Sequence, residues 1–411
     1  MKTEHTKPTV LVCGRNGSSN LCMARSLGQA GYPVEVLRIV QKKPKALNLM
    51  RYLKPEAHSK YVRAYHSIIC NNKNRIIAEE LLRLAKKDEK MLLIPTCDMA
   101  ASAADEYMDE LREFYWLPNA ADAAGEINRL MRKDVQMELA QKVGLPVINS
   151  CVIKTRNGEF TIPDSVRYPC FIKPNVSRNS VKSTIGRCDS EEQLRRRLTQ
   201  FSRNGDIEML VEDYVQIRQE YGLLGLSTLE GAVCPAFFEK EQIGSEDRKG
   251  VTMVGHMIPL SRRRELIDGI SRFVHGLGFV GLFDVDIIET AEGEWYFVEL
   301  NLRYGASGFA VTQSGVNLPA MYADYRTNGT AIDLNCAVEQ TGKRFVSEKV
   351  MMDEYARNFM TLRQVNQVMK QTQIHFIENI DDPKPYRHFR KFYLFGMATR
   401  ILFRMKRLLK Q

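Results

Sequence analysis

The stretch that most limits what this chain can become is residues 281–308, GLFDVDIIETAEGEWYFVELNLRYGASG, in which acids stand inside two strand-like runs. FDVDII and WYFVELNL have the β-branched and aromatic content of strands, and Glu292-Gly293 between them supplies a two-residue turn with glycine where positive φ is needed. With those two residues as the loop, Ala291 pairs with Glu294, and counting back sets Asp286 opposite Glu299 and Asp284 opposite Asn301. All four then share one face. Opposed side chains on an antiparallel pair hold their Cβ atoms roughly 5 Å apart, where like charges destabilise each other. Two arrangements relieve the conflict. One is a divalent cation between the acids: oxygen-only donors suit Mg²⁺, which keeps waters and takes other ligands from substrate phosphates. The other is a wet face of an antiparallel sheet, where both acids meet solvent.

Length and charge narrow the partners. At 411 residues and 44% apolar content the chain can bury the cores of two or three domains or lobes. It has no run of 18 uncharged apolar residues, and MKTEHTKPTV lacks the apolar core of a secretory signal, so a cytoplasmic protein is expected. Nine cysteines occur without a CxxC pair, in apolar settings such as TVLVCG and YPCFIK, and read as reduced core thiols. The net charge of +10 is concentrated at the C-terminus. After Asp382 there is no acid, while Lys384, Arg387, Arg390, Lys391, Arg400, Arg404, Lys406, Arg407 and Lys410 interleave with Phe389, Phe392, Tyr393, Met397, Ile401, Met405 and Leu408. Such a basic amphipathic helix over 384–411 either lies on an anionic membrane surface, as a peripheral attachment to the inner face, or docks on the protein by the same stripe. Nucleic acid is not an expected partner, because the excess charge sits at one end without a recognition motif.

Taken in order, PTVLVC, GRNGSSN, LCMARSLGQAG and PVEVLRI read as a β-α-β opening of the doubly wound kind. Gly14 and Gly17 do not make G-x-G-x-x-G, and Arg38 stands where a dinucleotide site needs an acid. Strands are expected at 60–65 and 91–96 and helices at 74–87 and 99–114, with Asp98 as helix cap or, alternatively, a crevice-facing substrate contact. Helical spacing over 121–143 breaks near Arg132-Lys133-Asp134, with Lys133 just before the second helix. Residues 168–174 form a short strand carrying Lys173, followed by the glycine-poor, hydroxyl-rich loop NVSRNSVKSTIG. Residues 208–215 read as a strand entering a linker. Strands at 221–229, 232–239 and 254–259 and a helix at 262–277 then lead to the hairpin.

The series Lys133 with KVGLP after it, Lys173 in FIKP, Glu212-Asp213-Tyr214-Val215, Glu220, Asp286 and E-L-N-L-R ending at Arg303 resembles the ATP-grasp superfamily over about residues 8–325. Within it, NLRYGASGFAVTQSGVNL and the early MARS are most similar to the D-aspartate-ligase-like group. The resemblance implies an α/β plus α+β chain: an N-terminal doubly wound (pre-ATP-grasp) domain at 1–118, linker helices and the small ATP-grasp lobe at 119–215, the large lobe with the metal site at 216–330, and a C-terminal extension at 331–411. It implies ATP and Mg²⁺ as cofactors, with Mn²⁺ as an alternative ion. Lys133 and Lys173 would contact the α- and β-phosphates. Glu212, Asp213, Tyr214 and Val215 would hold adenine through backbone groups, and Glu220 the ribose. Asp286, Glu299 and Asn301 would bind the metal, and Arg303 would face the reacting carboxylate. Residues 305–308 would form a backbone pocket for an anionic group, and Tyr304 would bear on which acceptor fits. The implied activity is an ADP-forming carbon–nitrogen ligase that joins a small carboxylate to an amine through an acylphosphate, with an amino acid such as D-aspartate joined to a cell-envelope precursor as the specific case. Alternatives are carbamoyl-phosphate-synthase-like chemistry, or a nucleotide-binding protein without turnover, to which the glycine-poor loop points. The membrane reading makes one prediction: the full chain co-sediments with anionic vesicles more than a chain ending at Pro383, and equal pelleting would remove it.

Overall fold

Strands apolar on both faces belong inside a parallel sheet, and the N-terminal runs VLVCG and VEVLRIV behave so. The computed structural model describes residues 7–41, 53–176, 185–203, 205–244, 250–357 and 359–391. In it β1 (Val10–Gly14), β2 (Val34–Val40), β3 (Val62–Ile69), β4 (Met91–Pro95) and β5 (Tyr115–Trp116) form a parallel sheet in the order β3-β2-β1-β4-β5. Helices α1 (Gly17–Gln29), α2 (Asn74–Leu84) and α3 (Asp98–Glu106) connect them. The expected helix over 99–114 is shorter, because α3 closes at Tyr107 and a separate turn, Met108–Leu111, follows. Strand order reverses between β1 and β4, the position at which open α/β sheets leave a crevice beyond their carboxyl ends.

A short strand, β6 (Asn119–Ala120), precedes an antiparallel four-stranded sheet of β7 (Ser150–Lys154), β8 (Cys170–Pro174), β9 (Gly186–Cys188) and β10 (Glu208–Asp213), ordered β7-β10-β8-β9. The helix Glu191–Ser202 packs Leu194 and Leu198 with Cys170, Ile172, Cys188, Met209 and Val211, so this sheet has a core of its own. Alternation along β8 and β10 turns Lys173 and Glu212 to the opposite face.

The third sheet has eight strands. Its members are β11 (Ile217–Ser227), β12 (Ala232–Ile243), β13 (Thr252–Ile258), β14 (Phe279–Thr290), β15 (Trp295–Asn301), β16 (Arg344–Val346) and β17 (Ile374–His375), ordered β15-β14-β11-β12-β13-β16-β17, with β6 added on β14. One face buries Leu223, Phe283, Val285 and Ile287 against Ile267, Ile270 and Phe273 of the helix Arg264–Gly276. Leu224, Leu226 and Phe238 join Phe309, Tyr322, Leu27, Val10 and Val12 in another cluster, so the N-terminal sheet and the large sheet share one core.

The described residues toward the C-terminus, up to 391, are tied to the rest of the chain. β16 and β17 extend the large sheet, and Asp382, almost wholly buried, accepts from Arg25 at 3.0 Å, from the Ser59 hydroxyl at 2.6 Å and from the Lys60 amide. Arg25 also donates to the carbonyls of Phe376 and Ile377. The chain is helical over 384–391, where Tyr386 and buried Phe389 pack with Leu21, Met253 and Met351. For these turns the docking alternative describes the arrangement. Residues 392–411, which carry most of the basic stripe, lie outside the described residues, as do 177–184 of the glycine-poor loop. Among the described residues no helix is long and apolar enough to cross a membrane.

Removing one partner of a buried ion pair leaves an uncompensated charge, at a cost of roughly 3–5 kcal/mol. Arg25→Met is therefore expected to lower unfolding stability by that order in urea titrations, with part of the loss recovered in Arg25→Met/Asp382→Leu. An unchanged midpoint would show that the pair does not hold the C-terminal segment.

Candidate active site

The hairpin of β14 and β15 reaches the expected register by a different route. Its loop has three residues, Ala291, Glu292 and Gly293: Thr290 rather than Ala291 pairs with Glu294, its amide donating to the Glu294 carbonyl at 2.8 Å, and Gly293 adopts φ +86°. Pairs Glu289–Trp295, Ile288–Tyr296 and Ile287–Phe297 are accordingly one residue out of the expected register. A bulge at Val298 restores it, so Asp286 still opposes Glu299 and Asp284 still opposes Asn301.

Glu299 borders a small recess with Asn301 and Asp98, while Asp284, Asp286 and Asn301 line a cavity of about 360 Å³. Its walls come from the turns after β1 (Asn16, Ser19) and β4 (Thr96, Cys97, Asp98), the large sheet (Leu224, Lys240, Asp284, Asp286), the segment from Asn301 to Ser307, and the C-terminal Ser347, Val350 and Phe376. Gly222 lies between Phe238 and Asp286 in the sheet, and an added Cβ would come within 2.0 Å of the Phe238 ring, so the floor of the cavity needs glycine there.

The like-charge conflict across the ladder is met by lysines. Lys240, nearly fully buried on the central strand β12, donates to Asp286 at 2.7 Å and lies 3.4 Å from Glu220. Burial works against its charge, but Asp286 and Glu220 outweigh it and push the ammonium up to about 12. Lys133 donates to Glu299 at 2.7 Å. Burial raises the Glu299 carboxyl, yet Lys133, by attraction and hydrogen bond, with help from Lys173 and Arg303, holds it down at about 2. Lys173 pairs with Glu212 at 2.8 Å. Lys133 is the first residue of the helix Lys133–Lys142 rather than the residue before it.

Arg303 is enclosed by oxygen. It donates to Asp98 at 3.0 Å, Asp284 at 2.5 Å and Asn301 at 3.0 Å, and its charge is stabilised by Asp284 and Asp98 against burial. Asp98 does not cap α3: Cys97 occupies the cap position, and the Asp98 carboxylate turns into the crevice. The helix cap in this region is Asn16, which accepts from the Ser18 amide at the start of α1. Tyr304 is buried under Gly308, whose missing Cβ leaves room for the ring, while Gly305, Ala306 and Ser307 line the cavity.

The stretch expected to hold adenine ends its strand at Asp213, leaving Tyr214 and Val215 beyond β10. The Asp213 and Tyr214 amides already donate to the carbonyls of Asn149 and Pro169. The Glu212 side chain is engaged too, by Lys173, so its part is not confined to the backbone. Asp286, Glu299 and Asn301 offer two carboxylates and one amide oxygen on a single face, a donor set that fits Mg²⁺ with waters and phosphate oxygens completing its shell. Sequence reasoning missed Lys240 and the Asp98–Arg303 contact. Lys240 had a faint signal, since it follows Ala236 and Phe238 at strand period in an otherwise buried run.

Residues 138–320 match the sequence model of the ATP-grasp domain family. The chain is 25% identical over 271 residues to a formate-dependent phosphoribosylglycinamide formyltransferase of Sulfurovum sp. (strain NBC37-1), covering 63% of this chain and 66% of that protein. It is 24% identical over 332 residues to a D-aspartate ligase of Enterococcus faecium (strain Aus0004), covering 73% and 76%. The chain thus spans just under two-thirds of the length of the first curated relatives. Its fold is similar to the ADP complex of an N5-carboxyaminoimidazole ribonucleotide synthetase, with TM-score 0.61, 15% identity and coverage of 95% of this chain and 97% of that one.

Asp284 carries a testable pH signature. Burial pushes its carboxyl up to about 6, against the opposing pull of Arg303, while an unfolded aspartate titrates near ~3.9. The folded chain therefore binds this proton more tightly, and the group's contribution to stability is complete below about pH 4 and lost as pH rises through about 6. Thermal midpoints measured between pH 4 and 7 are expected to show that decline in the native chain and not in Asp284→Asn; parallel profiles would contradict it.

Proposed function

We propose that this chain, which carries an ATP-grasp domain, is an ATP-dependent carboxylate–amine ligase that works through an acylphosphate on small-molecule substrates. The observation that carries the reading is the charge cluster in which Lys133, Lys240 and Arg303 bond to Glu299, Asp286 and Asn301, with Lys240, Asp286, Asn301 and Arg303 lining the 360 Å³ cavity. Phosphoryl transfer to a carboxylate brings two anions together, so catalysis consists mainly of positioning and of neutralising oxygens. An array of alternating charges supplies both.

In this reading the nucleotide lies between the β7–β10 sheet and the large sheet, with lobe boundaries near residues 118, 215 and 330. Lys133 and Lys173 leave or share their acid partners to meet the α- and β-phosphates. Glu220 holds the ribose hydroxyls. Of the hinge residues Glu212, Asp213, Tyr214 and Val215, the carbonyls and the Val215 amide contact adenine, because two other amides are committed. Asp286, Glu299 and Asn301 hold Mg²⁺, or Mn²⁺ on the same oxygen donors, which when bound neutralises phosphate oxygens and orients the nucleotide. Arg303, held by Asp98 and Asp284, places its charge where the carbonyl oxygen becomes negative as an amine attacks and phosphate departs. The turn around Gly305 adds backbone donors to the same region.

An amino acid such as D-aspartate, joined to a cell-envelope precursor, is the finer reading. The likeness to a D-aspartate ligase over nearly three-quarters of the chain supports it. A second reading, with formate or a similarly small acid, draws on the formyltransferase relatives. Both share the acylphosphate step and a cytoplasmic setting, and the basic C-terminus would bring the first toward an anionic membrane face.

The test is a screen of amino acids and small carboxylates, singly and with amines, for ADP release. Turnover is expected only with a matched acid and amine, and Glu299→Gln is expected to lower it on the order of 100-fold or more. Full activity in that variant would overturn the metal assignment, and ADP release indifferent to every acid and amine would overturn the ligase reading.

A further inference from the structure

Strands β8 and β9 bring two cysteines face to face on the side of the small sheet turned away from Lys173. Cys170 and Cys188 are direct register partners, and both are buried. Opposed residues on antiparallel strands hold their Cβ atoms roughly 5 Å apart, and a disulfide needs about 3.5–4.5 Å, so a small approach of the strands suffices. Cys170 also lines a recess of about 30 Å³ together with Cys151 and Arg167. A water-sized molecule needs only about 10–15 Å³, so the recess has room for a small oxidant with Cys170 in its wall. Cys151 lies on β7, separated from β8 by β10, roughly 10 Å away across two strand spacings and out of bonding reach.

We propose that Cys170 and Cys188 are a reversible dithiol–disulfide site of the small lobe, oxidised by hydrogen peroxide entering through the recess beside Cys170. The chemistry balances in two steps. The Cys170 sulfur, losing its proton, attacks one peroxide oxygen; the O–O bond breaks, the departing hydroxide takes up the proton as water, and Cys170 becomes a sulfenic acid. The Cys188 sulfur then attacks Cys170, forming the S–S bond as its own proton and the sulfenic hydroxyl leave as a second water. Two thiols lose two electrons and two protons, and one peroxide becomes two waters. The pairing shifts the two thiols in opposite directions: the adjacent Cys170, with Arg197, pulls the Cys188 thiol below its ordinary value against burial, whereas Cys188 and burial push the Cys170 thiol up, so Cys170 gives up its proton only as it attacks and the departing hydroxide takes it.

The new bond would close a loop containing Lys173 and the connection from 175 to 185, tying β8 to β9 at its base. Its formation does not depend on what the large cavity binds, so the site can be examined by thiol chemistry alone.

The full chain, folded and in buffer, is treated with hydrogen peroxide, its remaining thiols are capped with N-ethylmaleimide, and its peptides are mapped by mass spectrometry. Expected is a peptide pair joined through Cys170 and Cys188, lighter than the reduced pair by two hydrogens and released by dithiothreitol. Cys151→Ser retains the link, and Cys188→Ser abolishes it. Oxidation is also expected to raise the thermal midpoint of the native chain by several degrees, as loop closure does, and dithiothreitol to reverse the rise. Recovery of Cys170 and Cys188 both capped, both over-oxidised without a link, or linked only after denaturation in urea would overturn the proposal. If Cys188→Ser does not fold, the map of the native chain and of Cys170→Ala decides.

Discussion

Two carboxylates opposed across one sheet ladder set the terms for the rest of the structure. Asp286 and Glu299 would repel at their spacing, and each instead holds an ammonium at 2.7 Å, Lys240 for one and Lys133 for the other. The same alternation continues outward through Glu220 beside Lys240, Glu212 beside Lys173, and Asp98 and Asp284 around Arg303. Charge-assisted bonds of this length are strong in partly desolvated surroundings, which is why Glu299 stays ionised against burial. On the proposed reading these pairs keep cations and acids in place before substrate arrives, so little reorganisation is left for the reaction.

Three chain segments far apart in sequence must come together to build this face. Asp98 reaches Arg303 from the end of the N-terminal sheet, across a separation of 205 residues, and the two regions share one apolar core. The C-terminal segment contributes Ser347, Val350 and Phe376 to the cavity wall and is fastened by Arg25 to Asp382. The N-terminal sheet therefore acts as one wall of the site. Glu348 reinforces the fastening by accepting from three successive amides, those of Phe376, Ile377 and Glu378.

Much of the site was legible because strand periodicity is local. Asp284, Asp286, Glu299 and Asn301 fall on one face whichever turn joins their strands in register, and the pairing of 286 with 299 emerged although the loop has three residues, because the bulge at Val298 absorbs the extra one. The N-terminal β-α-β pattern was legible for a similar reason: continuous apolar runs mark buried parallel strands. Asp98 was harder to place. A residue at the start of a helix can cap it or face outward, and local sequence favours the cap, whereas Arg303 draws the carboxylate into the crevice. The short strands β16 and β17 carry too few residues for any period to show, and only the edge of β13 gives β16 a place, as β16 in turn does for β17.

The amino-acid order by itself determined which residues alternate, where strands and helices fall, and that acids would gather on one sheet face. Backbone geometry enforces such periods within a few residues, so no distant contact is needed to see them. Tertiary structure alone decided which cations neutralise those acids, that Lys240 rather than a residue of the recognisable series lies against Asp286, and that the first turns of the basic tail dock through Phe389. Those outcomes depend on packing between segments tens to hundreds of residues apart, where many lysines and many apolar stripes are chemically equivalent until the fold brings one of them within reach.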